Sequence, residues 1–362
     1  MVGFSDLTDE ERIERFERLA RVALCRFGLA GAALTHRSYT ENVLYEVWDE
    51  TSGIHASLRI CRAGWEQSAL RREISWLNAL HRDTDLRLPI PIRTVDGEPF
   101  AVLRSEEIPE PRACALFRWV DGTFAAPKTL NVSRMRSVGR FLAVLHEHAE
   151  SFRLPPELAI DRFDADALEA SDHRENVAAY YTDGADLAAF DEAIAAAVRL
   201  MRQLGDDSTV AGIIHGDFHQ RNYIFDGEGI GVVDFETVLW GYYLYDLATT
   251  LSYLVPEFLS DVDPAPLREA VLVGYEQTRG LPDAYERMLR VFAAYRVWIM
   301  ADWSSGSPRM LEHEWARRRL DAMPGQIRGL LEGGVTEGWD KAAAVRRPIA
   351  PPGSRAARQS NR

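Results

Sequence analysis

Residues 8–28 open the chain with a helical signature. Ile13, Phe16, Leu19, Ala20, Ala23, Leu24 and Phe27 recur at the three-and-four spacing of one helix face. Thr8 and Glu11 form a candidate capping box ahead of them, and Gly28 supplies a stop. Strand-like stretches follow at 32–36, 43–48 and 54–62, with a turn at 49–53 between the last two. Residues 65–80 return to helical spacing through Leu70, Ile74, Leu77 and Leu80. The proline-bounded link 88–91 is extended, and 92–95 with 100–104 around Asp96-Gly97 predict a hairpin. A last strand covers 113–120. Beyond Gly122 the pattern is mostly helical, at 132–152, 187–204, 244–254, 264–278, 283–300 and 309–331.

The stretch 213–247 breaks that helical run. Two short apolar segments, 223–225 and 230–233, flank Asp226, Gly227, Glu228 and Gly229 and predict a β-hairpin. With the turn centred on Glu228, Asn222 falls opposite Asp234. Directly opposed residues bring their Cβ atoms to roughly 4.5–5.5 Å. An amide oxygen and a carboxylate then converge on one point, a ligand set suited to Mg²⁺. Asp217, on the loop entering the hairpin, is left to meet a substrate hydroxyl as a base.

Composition narrows the class. The chain has 362 residues, 46% hydrophobic and 27% charged, enough for two domains or one large bilobal one. No apolar run reaches the roughly 18 residues of a membrane span, and no signal peptide is visible at the N-terminus. Cys25, Cys61 and Cys114 are few and widely spaced, which suits reduced thiols in a cytoplasmic protein. A net charge of −13 argues against a nucleic-acid partner and is compatible with a cationic substrate. The only lysines are Lys128 and Lys341, and no phosphate-binding G-x-x-x-x-G-K-[ST] loop is present.

Three segments together carry a resemblance: His215-Gly216-Asp217-Phe218-His219-Gln220-Arg221-Asn222, Val233-Asp234-Phe235-Glu236 and Tyr245-Asp246-Leu247-Ala248. Over about residues 10–335 the chain resembles the aminoglycoside phosphotransferase and homoserine kinase type II family. The resemblance implies an α+β, bilobal protein-kinase-like fold. A small antiparallel-sheet N-lobe with its leading helix would occupy 1–119 and a mainly helical C-lobe 120–341, while 342–362 reads as a disordered tail. It implies ATP and Mg²⁺, with Asn222 and Asp234 on the metal and Asp217 as base. It also implies that His215 bonds backbone near Asp234, that Asp246 braces the catalytic loop, and that Arg221 meets phosphate or acceptor.

The nucleotide side follows from the same resemblance. Arg59 stands where kinases carry a strand lysine, with Glu73 on the next helix as its partner. A surface arginine and a solvated glutamate are the plainer reading of both. The loop between the first two strands has no glycine; Ser38, Thr40 and Asn42 either donate to phosphate or form a polar turn. Ala115, Leu116, Phe117 and Trp119 would line the adenine site at the hinge between lobes, or simply form a buried strand.

The implied acceptor is a small-molecule hydroxyl, on an aminoglycoside-type antibiotic, a homoserine-like amino alcohol or a sugar. The expected protein is a monomer or homodimer with no nucleic-acid or membrane partner. Two rivals are a bacterial stress-response-type protein Ser/Thr kinase and a nucleotide-binding pseudokinase. Only six residues separate Asp234 from Gly241, too few for a peptide-docking platform, and intact Asp217, Asn222 and Asp234 count against the pseudokinase. His146 and His148, two apart on one helix, do not face each other. The acids at 153–183 read as a solvated face or a lure for a cation. Arg287, Arg290, Arg296, Arg309, Arg317, Arg318 and Arg319 read as surface charges.

Overall fold

The computed structural model describes residues 4–170, 175–259 and 262–333. The tail expected at 342–362 lies outside them, as does Asp172. The first helix, α1 (Asp9–Arg26), starts at a reciprocal cap: Glu11 N–H donates to Thr8 Oγ1 at 3.2 Å and Thr8 N–H to Glu11 Oε2 at 2.8 Å. Its apolar stripe covers one face of an antiparallel sheet made of β1 (Ala33–Tyr39), β2 (Val43–Asp49), β3 (Ile54–Ile60), β4 (Pro91–Ile92), β5 (Ala101–Ser105) and β6 (Ile108–Arg118). The order is β1-β2-β3-β6-β4, with β5 also on β6. Phe16, Leu19 and Leu24 pack there against Tyr45, Leu58 and Leu116.

The hairpin expected across Asp96-Gly97 does not form. Thr94 N–H and Glu98 C=O close a local turn at 2.9 Å, and Val95 N–H is taken by Arg26 C=O at the end of α1. Long β6 then pairs with both short strands, β5 along its first half and β4 at Leu116 and Phe117.

Helix α2 (Gln67–Asp83) packs on the opposite face and joins the core of the helical lobe. That lobe holds α3 (Val132–Ser151), α4 (Ala165–Ala170), α5 (Glu175–Tyr180), α6 (Gly184–Leu204), α7 (Tyr243–Ser252), α8 (Pro256–Leu259), α9 (Pro264–Glu276), α10 (Tyr285–Ser305), α11 (Pro308–Leu311) and α12 (Glu314–Glu332). Its strands are β7 (Thr123–Phe124), β8 (Ala211–Ile214), β9 (Tyr223–Asp226), β10 (Gly229–Val232) and β11 (Leu239–Tyr242). Helices α3 and α9 touch backbone to backbone. A Cβ on Gly139 would lie 1.9 Å from Val271 O, and one on Gly274 2.0 Å from Arg136 O.

Several residues left open by the sequence have structural work. Trp76 of α2 meets Phe235 edge-on at 5.8 Å, coupling the small lobe to the segment after Asp234. Arg72, also on α2 and buried, donates to Asp161 Oδ2 at 2.6 Å and to Ala159 C=O at 2.8 Å. Arg202 takes Asp166 and Glu169, and Arg162 takes Asp164. These acids of the 153–183 segment are therefore neutralised within the chain. His148 accepts from Trp76 Nε1 at 3.3 Å and meets Asp83, while buried His146 bonds the Tyr275 hydroxyl at 2.9 Å.

Candidate active site

Strand β8 delivers His215, Gly216 and Asp217 to the floor between the lobes. Asp246, in the first turn of α7 and fully buried, holds this loop. Its two oxygens accept from His215 N–H and Gly216 N–H, both at 2.8 Å. Gly216 is required twice over: its φ is +78°, and a Cβ would lie 2.6 Å from Thr237 O. Burial lowers the His215 pKa and keeps the ring neutral. Its partners then fix the tautomer: Nδ1 accepts from Asp217 N–H at 3.3 Å, and Nε2–H donates to Val233 C=O at 3.4 Å. His215 thus links the loop to the end of the hairpin.

The hairpin itself is shifted by one residue from the sequence expectation. Its turn is the two-residue Gly227-Glu228, with Asp226 paired to Gly229 and Tyr223 to Val232. Gly227 supplies the positive φ, +59°, that so tight a loop needs. Asn222 therefore faces Val233, whose N–H it receives at 3.0 Å, and Asp234 comes one position later. A slip of one residue reverses the face on which a strand side chain lies. Here the strand has already ended, and Asp234 turns out of it with a left-handed φ of +69°. A non-glycine residue in that region is uncommon, and such strain collects at working sites. Asn222 Nδ2 donates to Asp217 C=O at 3.0 Å, which leaves Oδ1 as the amide atom open to a further partner.

Asp217 is held from two sides. Arg296 Nη2 contacts Oδ1, and His219 Nε2 lies 3.2 Å from Oδ2. Burial opposes ionisation, but the His219 hydrogen bond and the Arg296 charge outweigh it and hold the carboxyl well below the usual carboxylate range. Arg296 is the residue that sequence reasoning misread. It lies on α10 with 7% of its surface exposed, and its Nη1 is 3.4 Å from the Tyr245 hydroxyl. A signal existed: Leu289, Phe292, Ala293 and Arg296 follow i, i+3, i+4, i+7, so the arginine occupies a place on the apolar stripe.

Asp234 has the opposite environment. Burial, then the charge of Glu236, push its carboxyl up to about 7, with Arg59 pulling it down and Glu73 and Asp217 adding to the push. Four carboxylates thus crowd one region, and Arg59 is the cation set against that push. Arg59 and Glu73, 6% and 2% exposed, are in direct contact. Arg59 Nη1 is also 3.9 Å from Glu236, and its guanidinium lies 5.1 Å over the Phe117 ring.

The remaining candidates are placed less centrally. Asn42 spends both ends of its amide: Nδ2 donates to Glu236 at 2.5 Å and Oδ1 accepts from Arg62 N–H at 3.0 Å. It ties the β1–β2 loop to the segment after Asp234 with one of its two N–H donors. Ser38 sits half-buried at a bulge in β1. Ala115 and Phe117 are buried in the sheet beneath Arg59, and Trp119 stacks on His55 at 4.7 Å while giving its N–H to His55 C=O. That N–H is therefore engaged within the chain. Arg221 is exposed, and among the described residues it forms no ion pair with Asp217 or Asp234.

Comparison with known proteins gives this arrangement its class. The family described as "Phosphotransferase enzyme family" matches residues 34–289, which include nearly all of the sheet and the site residues from Asn42 to Asp246, but not Arg296. The chain belongs to that family. It is 30% identical to a homoserine kinase of Gluconacetobacter diazotrophicus over 218 residues, 59% of this chain and 62% of that protein. A homoserine kinase of Pseudomonas aeruginosa is 35% identical over 91 residues, 24% of this chain and 28% of that one. The matched stretch thus spans no more than about three fifths of these relatives. Among solved structures, an amicoumacin kinase in complex with AMP-PNP, Ca²⁺ and Ami superposes with a TM-score of 0.74 at 14% identity, covering 91% of this chain and 99% of that one. A microcompartment-associated aminopropanol kinase gives 0.70 at 24% identity, covering 89% and 99%. At these identities the likeness is one of fold, the α+β bilobal protein-kinase-like one.

Proposed function

We propose that this chain is an ATP- and Mg²⁺-dependent phosphotransferase that moves the γ-phosphate to a hydroxyl of a small molecule. The observation that carries the reading is the pairing of two unlike acids on one short segment. Asp217 is kept ionised by Arg296 and His219, while Asp234 is turned out by a left-handed backbone into a surplus of negative charge. A carboxylate pushed up to about 7 by its neighbours is one that a divalent cation would stabilise, and hard oxygen donors suit Mg²⁺. Asp234 and Asn222 Oδ1 would hold that ion, which when bound neutralises charge on the phosphates.

The chain's own residues account for the rest. Asp217 orients the acceptor hydroxyl; one of its remaining lone pairs faces the proton even with both oxygens engaged. Its low basicity places proton uptake late, as the new O–P bond forms and the bond to the leaving ADP breaks. Arg59, positioned by Glu73, offers its charge to the phosphates, and buried Asp246 keeps the loop from drifting. The relatives' names, homoserine kinase and aminopropanol kinase, favour a small amino alcohol or hydroxy amino acid over a sugar. A protein acceptor is disfavoured because β11 begins at Leu239, directly after the Asp234 segment, and pairs with β8.

The test is acceptor-dependent ADP release with Mg²⁺-ATP across aminoglycosides, amino alcohols, hydroxy amino acids, sugars and casein. Release with a small alcohol supports the reading. Release with casein alone, or nucleotide binding with no release on any acceptor, overturns it.

A further inference from the structure

A cavity of about 490 Å³ opens between the lobes and takes no part in the chemistry above. Its small-lobe wall is Glu41, from the turn that joins β1 to β2. Its other wall is the end of α10, with Trp298, Asp302 and Trp303, together with Asn176 of α5. That wall is tightly built. Asn176 Nδ2 donates to Asp302 Oδ2 at 3.2 Å, and a Cβ on Gly306 would lie 2.7 Å from the Asn176 amide carbon. The charge of Glu41 is taken by Arg62. Half-buried Asp302 has the neutral Asn176 amide as partner and no cation among the described residues. The cavity therefore offers both room and one uncompensated negative charge.

Two routes tie this cavity to the catalytic carboxylate. On α10, Arg296 touches Asp217, and Trp303 follows it at i+7 on the same helix face. At 1.5 Å of rise per residue, Asp302 and Trp303 stand about 9 and 10 Å further along the axis. On the small-lobe side, Asn42, next to Glu41, bonds Glu236 at 2.5 Å, just past Asp234. The segments that border the cavity are thus the ones that border the reacting groups, with its free charge set back along α10.

We propose that this cavity seats the far end of a long acceptor, and that Asp302 is the specificity residue that receives an ammonium group there. The proposal rests on the phosphotransferase reading above. With the hydroxyl at Asp217, the ammonium stands about 9 Å away along α10. A saturated chain advances about 1.25 Å per bond, so about six to eight carbons separate the two groups. Homoserine and aminopropanol hold theirs about 5 Å apart and do not reach both ends. The ligand class is therefore a long cationic alcohol, distinct from the acceptors in the relatives' names. Trp303, 47% exposed beside Asp302, adds an indole that attracts an ammonium. The volume agrees, since cavities of this size enclose molecules well beyond a three-carbon chain.

The test is a ruler series: 3-amino-1-propanol, 5-amino-1-pentanol, 6-amino-1-hexanol and 8-amino-1-octanol, with 1,6-hexanediol as the uncharged control. With the full chain and Mg²⁺-ATP, kcat/KM should rise along the series. The six- or eight-carbon amino alcohol should exceed both 3-amino-1-propanol and 1,6-hexanediol by about tenfold, the effect of one half-exposed ion pair with one cation–π contact. Asp302→Asn, which keeps an acceptor for the Asn176 amide, should bring 6-amino-1-hexanol down to the level of 1,6-hexanediol. The wild-type series stands alone if that variant does not fold. Calorimetric titration of 6-amino-1-hexanol in the presence of Mg²⁺ and AMP-PNP should show binding that weakens in Asp302→Asn. A series led by 3-amino-1-propanol, or a diol turned over as well as the amino alcohol, overturns the long-reach proposal and leaves the phosphotransferase reading intact. Asp302-dependent binding without ADP release on any acceptor keeps the cavity assignment and overturns the phosphotransferase reading. Neither binding nor release across the series overturns the cavity assignment, and the wider acceptor screen then decides the phosphotransferase reading by itself.

Discussion

The Arg59–Glu73 pair separates stability from nucleotide use. Both side chains are buried and in contact, and the nearest further carboxylate on Arg59 is Glu236 at 3.9 Å. Removing one partner of a buried pair costs about 3–5 kcal/mol, because the other charge is left uncompensated. Glu236 offsets part of that loss, so Glu73→Ala should cost about 3 kcal/mol, at the low end of the range. Glu73→Gln keeps the shape and one acceptor oxygen and should cost about 1–3 kcal/mol. Arg59→Met with Glu73→Leu removes both charges at similar volume and should return to within about 1 kcal/mol of the wild type. That double variant nevertheless lacks the cation proposed for the phosphates, so its KM for ATP should rise at least tenfold. Urea unfolding followed by tryptophan fluorescence reads the first quantity, with Trp76 on the same helix as Glu73 as a local reporter. The kinetics of ADP release read the second. Glu73→Ala within about 0.5 kcal/mol of the wild type, the scale of an ordinary surface substitution, refutes the burial reasoning. A double variant with an unchanged KM for ATP refutes the nucleotide role of Arg59.

Asp246→Ala removes both acceptors that fix the His215 and Gly216 amides, and two charge-assisted bonds predict a loss of about 3–5 kcal/mol. Turnover should fall by about a hundredfold or more as Asp217 loses its position, and wild-type kinetics in that variant would remove Asp246 from the bracing role. Gly139→Ala puts a methyl into the backbone of α9 at Val271, and the over-packing cost of roughly 1–3 kcal/mol or more should exceed the ~1 kcal/mol gained in helix propensity. A melting temperature at or above that of the wild type contradicts this. His146 has its pKa lowered from the ordinary 6.5 by burial, with the Asp246 hydrogen bond and charge pulling the other way and the Arg279 charge adding to the lowering. Tyr275 and Tyr243 also pack on its ring. Its contribution is whole above pH 6.5 and is lost as the pH falls from there toward the folded value, at up to about 1.4 kcal/mol per pH unit. His146→Gln should flatten the stability profile below pH 6.5, and parallel profiles for the two proteins would exclude the effect.

The features legible in the sequence are those decided locally. The Thr8–Glu11 cap and the stripe on α1 are set by neighbours three and four apart, and the loop from His215 to Asn222 carries its chemistry in one run. The hairpin register slipped because Asp226-Gly227-Glu228-Gly229 offers more than one turn centre, and only the pairing of Asp226 with Gly229 selects the shortest. The failed 92–104 hairpin was decided by long-range competition, since β6 offers a longer edge than the two short strands offer each other. The same holds for side chains. Arg296 stands 79 residues from Asp217 and Asn42 stands 194 from Glu236, and no local pattern joins either pair. Only the place of Arg296 on an apolar stripe hinted that it turns inward.

The central claim is that Asp217 acts on the acceptor and not on the nucleotide. Asp217→Asn, compared with the wild type for turnover and for calorimetric Mg²⁺-ATP affinity, tests it most directly. The account predicts a loss of turnover of about a thousandfold or more, within the range of a positioned general base, with nucleotide affinity changed by no more than about twofold. Turnover near the wild-type rate, or a collapse of nucleotide affinity in step with turnover, would contradict it.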